Sequence, residues 1–392
     1  MTEFVQPSHT SRADPLKVLA FVHLRNIVGS TGAGRVARCL VERLSAMPDL
    51  DLRILADRDD YQKVILQAGA PWAGMKTYLF TSGTSTQQAK WLLLKTPTAE
   101  SFWASPEVTY CTAESYVPVQ RSKLVVTLHD AAHLERGVLR QNLKLLKQRA
   151  KWNVLYRVLA KKVDAFHTVS NFSAERLGHY WPSIRTRLHV VPNGVAECFL
   201  SKSFVDPAPV LKRLGLTNAR FVLLPCGLQY RKNADLILKV WPLIRQKHKD
   251  LKLVTTNVSE PEYSALAHAM GDSVTQVGHV SDTELKVLYH RAETVWFPSL
   301  YEGFGMPVLE AMACGAAVLS SKGTGVEEVS GSAALLVDPR DSKAQIDALL
   351  WLLEDRTAAA AYGSRGVTHA GSYTWLRSAQ MMRTLFGNLS AN

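Results

Sequence analysis

Two carboxylates and a basic pair stand where chemistry is possible in this chain. Glu302 and Glu310 lie eight positions apart in "YEGFGMPVLEAMACGAAVLSS" (301–321), with a Gly-Phe-Gly turn and Pro307 between them. Arg231 and Lys232 lie in "GLQYRKN" (227–233), and His129-Asp130 close the run "KLVVTLHD" (123–130). The two glutamates could be a catalytic acid and base, two anchors for a polar ligand, or two surface charges. A glycosidase-type acid–base pair must flank the scissile bond at short range, which this placement disfavours. Lys232 is a mobile point charge of the kind that holds phosphate; the plain alternative is a solvated Arg-Lys pair. For His129 the plain alternative is a strand-end histidine bonded to backbone.

The elements around the glutamates narrow the choice. "TVWFPS" (294–299) reads as a strand, and Glu302-Gly303-Phe304-Gly305 as the turn leaving it. Pro307 suits the first position of a helix, where its missing N–H costs nothing, and Gly315 suits its end. Glu302 then sits in a loop at the carboxyl end of a strand and Glu310 on the first turns of the helix behind it. The free N–H groups of such a helix start attract anions, and the glycines allow close approach. A diphosphate bound there would place a sugar beside Glu302 and a ribose diol beside Glu310. Hydrogen bonds from such hydroxyls to a carboxylate contribute roughly 1.5–3 kcal/mol each. Gly32 and Gly34 in "GSTGAG" (29–34) would bring backbone near phosphates, although the loop lacks dinucleotide-fingerprint spacing.

Strands and helices alternate through both halves. "KVLAFVHL" (17–24), "LRILAD" (52–57), "KLVVTLHD" (123–130) and "DAFHTVS" (164–170) are expected strands of the first half. "RFVLLPCG" (220–227), "LKLVTTN" (251–257), "TVWFPS" and "AAVLSS" (316–321) are those of the second, separated by helical patterns such as "NADLILKVWPLIRQKH" and "SDTELKVLYHRA". In the latter, Ser281 or Asp282 is a plausible cap, with Glu284 in the first turn. The alternation argues two doubly wound α/β domains with parallel sheets. The expected division is 1–200 and 201–371, with a C-terminal helix of about 372–392 packing back on the first domain.

Bulk properties exclude several classes. The chain has 392 residues, 47% hydrophobic and 20% charged, a globular composition in which no apolar run is long enough to span a membrane. The start has no signal-peptide core, so a cytoplasmic location is expected. The five cysteines (39, 111, 198, 226, 314) form no Cys-x-x-Cys pair, which argues against disulfides and zinc. Of the net charge of +12, residues 1–200 hold +10. Nucleic acid, an anionic membrane surface or a phosphate-bearing substrate are the partners such a balance allows. Residues 136–162 hold nine basic side chains and no acidic one, with apolar residues at 139, 143, 146, 150, 154 and 158. That segment is either a core helix or an interfacial helix on anionic lipid.

The sequence resembles the retaining glycosyltransferases of family 4, with the GT-B fold, and looks most like bacterial mannosyltransferases. "GHVSDTELKVLYHRAETVWFPSLYEGFGMPVLEAMACGAAVLSS", "SAALLVDP", "GLQYRKNADLIL", "PNGV", "HTVSNFSAERL" and "VVTLHD" carry the likeness, from about 120 to 375. The resemblance implies two Rossmann-like domains facing each other across a cleft. It implies that Glu302 contacts the donor sugar beside Gly303, Phe304 and Gly305, that Glu310 holds the ribose and that Lys232 holds the diphosphate. His129, with Asp130, would face the donor sugar, and Met306, Val308 and Leu309 would open the phosphate-facing helix. Many family members carry an arginine where Leu228 stands, so Arg231 either replaces it or one phosphate contact is missing. The implied reaction moves a sugar, with GDP-mannose the best guess for the donor, to a polysaccharide or lipid-linked saccharide. It needs no metal and no cofactor and involves no nucleic acid, and the enzyme would be cytoplasmic or peripheral on the inner face of the plasma membrane. A nucleotide-sugar 2-epimerase or a phosphorylase is the alternative enzyme reading, although no pyridoxal-phosphate lysine is identifiable. A basic-surface binding protein without catalysis is the alternative of another class.

Overall fold

The computed structural model describes residues 14–28, 31–69, 71–139, 143–225, 227–256, 264 and 268–391. The chain divides into two compact units, Met1–Val126 with Met382–Asn392, and Thr127–Met381. The division expected near residue 200 therefore falls inside the second unit, while the last residues group with the first.

The first unit is built on β1 (Leu16–Phe21), β2 (Leu50–Asp57), β3 (Thr77–Phe80), β4 (Val108–Cys111) and β5 (Lys123–Thr127). They are parallel and ordered β3-β2-β1-β4-β5. Strands covered on both faces need near-continuous apolar runs, and every residue of β1 except Lys17 is buried. The helix Gly32–Ser45 buries Val36, Leu40 and Leu44 at helical spacing, and Thr31 caps it by accepting from the Gly34 N–H. At the carboxyl end of the same unit, the Phe386 ring lies 5.3 Å from that of Tyr110, and Arg383 pairs with Asp49 at 2.8 Å. These contacts hold the end of the chain to the first unit.

The second unit contains β6 (Ala165–Thr168), paired in parallel with β7 (Leu188–Val190). It also contains a parallel sheet of β8 (Phe221–Leu224), β9 (Lys252–Thr255), β10 (Val274–Gln276), β11 (Thr294–Phe297), β12 (Val318–Ser321) and β13 (Leu335–Val337). Its order is β10-β9-β8-β11-β12-β13. Side chains alternate between the two faces of a strand, and two cores follow from that. Phe221, Leu223, Val295, Phe297 and Val318 enter one core, with Val308, Leu309 and Met312 of the helix Met306–Ala313. Val222, Leu224, Trp296 and Leu319 enter the other, with Ile237, Val240, Trp241 and Ile244 of the helix Ala234–Lys247. Helices on both faces make the sheet doubly wound. Its order reverses between β8 and β11, and ligands of open α/β sheets bind at the carboxyl ends of strands at such a reversal.

Among the described residues no helix is long and apolar enough to cross a membrane. The helix Leu143–Lys162 buries Leu145, Tyr156 and Leu159, whereas Leu143, Leu146 and Val154 are 76%, 56% and 58% exposed. The apolar stripe at 143, 146, 150 and 154 thus faces outward; Arg140, at the edge of the segment, lies outside the described residues.

One buried and one half-buried histidine make the fold sensitive to acid. His167 is 0% exposed, Thr127 Oγ1 lies 2.9 Å from its Nδ1, and Val191 O lies 3.1 Å from its Nε2. Burial pushes its pKa down to about 3. Burial likewise lowers His23 to about 4, with Ser115 Oγ 2.6 Å from its Nε2. Both are neutral when folded and titrate near the ordinary value of about 6.5 when unfolded. Stability is therefore complete above about pH 6.5 and is lost as pH falls toward the folded values, by up to about 1.4 kcal/mol per pH unit for His167. The melting temperature should fall between pH 7.5 and pH 5, and His167→Gln should lower it at pH 7.5 while flattening the decline. A melting temperature constant over that range in the wild type would contradict the assignment.

Candidate active site

The strand-order reversal between β8 and β11 brings two loops together. The loop after β8 makes a tight turn at Tyr230–Lys232 that ends at Asn233 in the left-handed region, φ 66°. Asn233 is buried, and its Nδ2 donates to Pro298 O at 3.0 Å and Pro339 O at 2.7 Å. The Leu300 N–H donates to Arg231 O at 2.8 Å. These bonds fix the loop that carries the cations against the loop that carries Glu302.

Glu302 is 7% exposed. Lys232 Nζ lies 2.6 Å from its Oε1, and Arg231 Nη1 lies 3.2 Å from its Oε2 and 3.3 Å from Tyr301 O. Lys232 Nζ also sits 4.6 Å over the Phe297 ring, a further contact that suits a cation. Burial works against the carboxylate charge, but Arg231 and Lys232 outweigh it and hold the carboxyl below its ordinary range. Two cations share one anion here, so the cluster carries a net positive charge beside the helix start. Leu228, where the family pattern has arginine, is buried in the core with Leu236 and Trp241. The guanidinium on this loop that pairs with Glu302 is that of Arg231.

Gly303 is required by a close approach. A Cβ there would lie 2.7 Å from Asp130 Cβ and 3.0 Å from His129 O and from Ser173 Oγ. Its carbonyl accepts from Ser170 Oγ at 2.5 Å and Ser173 Oγ at 3.1 Å. Beside it, Tyr301 OH accepts from the Ala131 N–H at 3.2 Å, and burial pushes that phenol well above its usual range. Asp130 Oδ1 accepts from the Ala132 N–H at 2.8 Å. The His129 carbonyl and Asp130 thus lie against the turn that follows Glu302. One turn away, Glu328 accepts from the Asn171 and Phe172 N–H groups at 2.9 and 2.7 Å, closing the start of the helix Asn171–Tyr180.

Gly305 caps the helix Met306–Ala313 at φ 91°, a conformation that favours glycine. Met306 is its first residue and Pro307 its second, one place later than expected, and Gly315 lies just beyond its end. Phe304, Val308 and Leu309 are buried in the core, which leaves only their backbone for a ligand. Glu310, 5% exposed, accepts from the Tyr289 hydroxyl at 3.2 Å. In the first unit, Gly32 is exposed at the start of its helix and Gly34 is buried, with Asn26 O 1.8 Å from where its Cβ would be; Gly29 and Ser30 lie outside the described residues. Among the described residues no three His, Cys, Asp or Glu side chains converge as metal ligands.

Comparison with known proteins places this geometry in a class. Residues 212–368 match the family described as "Glycosyl transferases group 1", and residues 31–197 match "Glycosyltransferase Family 4". The chain is 28% identical to the O-antigen chain mannosyltransferase B of Escherichia coli over 53% of this chain and 56% of that protein. It is 28% identical to a D-inositol 3-phosphate glycosyltransferase of Pseudarthrobacter chlorophenolicus over 65% and 63%. The matches thus span little more than half the length of these relatives. Among solved structures, a sucrose-phosphate synthase of Thermosynechococcus elongatus superposes with TM-score 0.74, at 19% identity, covering 96% of this chain and 99% of that one. Anabaena HepE in complex with UDP and glucose superposes with TM-score 0.72, at 17% identity, covering 95% and 99%. The fold is the two-domain α/β GT-B fold, and the chain belongs to the family 4 glycosyltransferases, where it resembles bacterial mannosyltransferases.

Proposed function

We propose that the chain transfers mannose from GDP-mannose to a polysaccharide or lipid-linked saccharide, with retention of configuration and without a metal ion. The observation that carries this reading is the Lys232–Glu302–Arg231 cluster at the strand-order reversal, beside the start of the helix Met306–Ala313. A diphosphate at that helix start would draw on the charge of Lys232 and Arg231, which offsets the charge developing on the leaving group. Glu302 would then turn its oxygens to hydroxyls of the donor sugar, and Glu310 would take the ribose diol. His129, beside the same turn, would face the sugar. No side chain is assigned as a nucleophile. Mannose is favoured by the mannosyltransferase relatives.

The acceptor is proposed to be presented at an anionic membrane surface. The helix Leu143–Lys162 exposes Leu143, Leu146 and Val154 together with Lys147, Lys151, Arg157 and Lys161, and contains no acidic residue. Apolar side chains flanked by cations suit an anionic interface, where each basic residue contributes about 1 kcal/mol.

Turnover with a panel of GDP- and UDP-sugars tests the reaction. GDP-mannose should be consumed fastest, EDTA should leave the rate unchanged, and Lys232→Ala should lower turnover about 100-fold or more, on the order of 3 kcal/mol. Strict dependence on added Mg²⁺ or Mn²⁺, or a Lys232→Ala variant of normal turnover, would overturn the mechanism. For the surface, the protein should sediment with phosphatidylglycerol vesicles at low salt and not with neutral ones. Lys147→Glu with Lys151→Glu and Arg157→Glu should abolish this without unfolding; indifference of the wild type to both vesicles would remove the membrane from the proposal.

A further inference from the structure

The turn after Glu302 is held by its carbonyls. The Glu302 carbonyl accepts from the Gly325 N–H at 2.8 Å, at the start of the helix Gly325–Ser330. The Gly303 carbonyl accepts from two hydroxyls, Ser170 Oγ at 2.5 Å and Ser173 Oγ at 3.1 Å. Ser170 Oγ also accepts from the Ser173 N–H at 3.0 Å, which caps the helix Asn171–Tyr180. A hydroxyl has one proton and two lone pairs, so the cap uses a lone pair and leaves the proton to Gly303. Both serines are buried, and water is not a ready substitute for either bond. A Cβ on Gly325 would lie 2.3 Å from Gly303 O and 2.8 Å from Glu302 O, so the two carbonyls turn to the same side. Glu328, on the same short helix, accepts from the Asn171 and Phe172 N–H groups and so joins the two supports.

We propose that Ser170 and Ser173 are positioning residues for the donor sugar: by fixing the Gly303 carbonyl, they present the N–H groups of Gly303 and Phe304 to an oxygen of that sugar beside Glu302. This rests on the reading of the Glu302 turn as the donor-sugar site. A trans peptide is planar, with its N–H directed away from its carbonyl. With the Glu302 and Gly303 carbonyls fixed on one side, the N–H groups of Gly303 and Phe304 are directed to the other. Successive N–H groups on one side form a concavity that favours an electron-rich oxygen. A carboxylate only accepts, whereas a sugar hydroxyl can give its proton to Glu302 and accept from an N–H at the same time. Gly303 has no side chain to restrain its peptide, and the two hydroxyls supply the restraint that the close packing against Asp130 denies to a Cβ. Donors fixed in advance need no reorganisation when the sugar arrives.

Kinetics with the donor that the wild type turns over fastest in the panel of GDP- and UDP-sugars, together with calorimetry of the matching GDP or UDP, test this role. Ser173→Ala removes one hydroxyl and leaves the cap. It should lower kcat/KM for the nucleotide sugar about tenfold while affinity for the diphosphate stays within about twofold. Ser170→Asp keeps an acceptor for the cap but has no proton for Gly303 at neutral pH, so it tests the same carbonyl independently and should show the same split. A loss shared equally by diphosphate and nucleotide sugar would mark a merely structural role, and an unchanged kcat/KM in both variants would make the carbonyl irrelevant; either result overturns the proposal. Lys232→Ala separates this failure from failure of the donor-site reading. If it impairs turnover while the serine variants do not, the donor site stands and only the role of the serines falls. If it turns over normally, or the wild type consumes no sugar of the panel, the donor-site reading fails and the role of the serines fails with it.

Discussion

A buried carboxylate held by two cations from a neighbouring loop is the interaction on which the site depends. Lys232 and Arg231 offset the cost of burying the Glu302 carboxylate at 7% exposure, and Glu302 in turn relieves the repulsion between the two cations. The rest of the second unit can be read as the apparatus that makes this meeting possible. The reversal of strand order puts the loops after β8 and β11 next to each other, Asn233 ties them by two carbonyls, and Gly303 lets His129 and Asp130 close in. Without a donor, the carboxylate occupies cations that a diphosphate would otherwise share.

This arrangement explains how two glutamates eight residues apart can do different work. They leave the same strand–helix junction, but one faces a loop rich in charge and the other faces a neighbouring helix. Environment sets the role of each carboxylate more than its chemistry does. Glu302 is held by ion pairs to Lys232 and Arg231, whereas Glu310 accepts a hydrogen bond from the Tyr289 hydroxyl.

Much of this was legible in the sequence because it is local. The capped start of the helix at Ser281, the strand before Glu302 and the glycine turn that leads from it into the next helix follow from patterns a few residues long, and all are present. The short strands β3, β4, β7, β10 and β13 were not, since three or four residues are too few to show a strand pattern, even where all are apolar as in Leu335-Leu336-Val337. The basic segment before residue 162 was open to two readings, and the exposure of Leu146 and Val154 is a property of its neighbours rather than of its own periodicity. The contacts of Tyr289 with Glu310, of Ser170 and Ser173 with Gly303, and of Tyr301 with Ala131 span 21 to 170 residues. No spacing rule reports such distances. "VLYHRA" and "HTVSNFS" were visible as family-like stretches, but what their hydroxyls touch is decided by tertiary packing.

The claim that Glu302 competes with the donor diphosphate for Lys232 and Arg231 can be measured directly. Calorimetry of nucleoside diphosphate binding to Glu302→Gln, against the wild type and across a range of salt, compares the cations with and without their internal anion. Neutralising Glu302 releases positive charge, so the account predicts tighter binding, by several-fold, with a steeper loss of affinity as salt rises. Affinity that is unchanged or weaker in Glu302→Gln, with the same salt dependence, would show that the two cations are not shared with phosphate and would contradict the account.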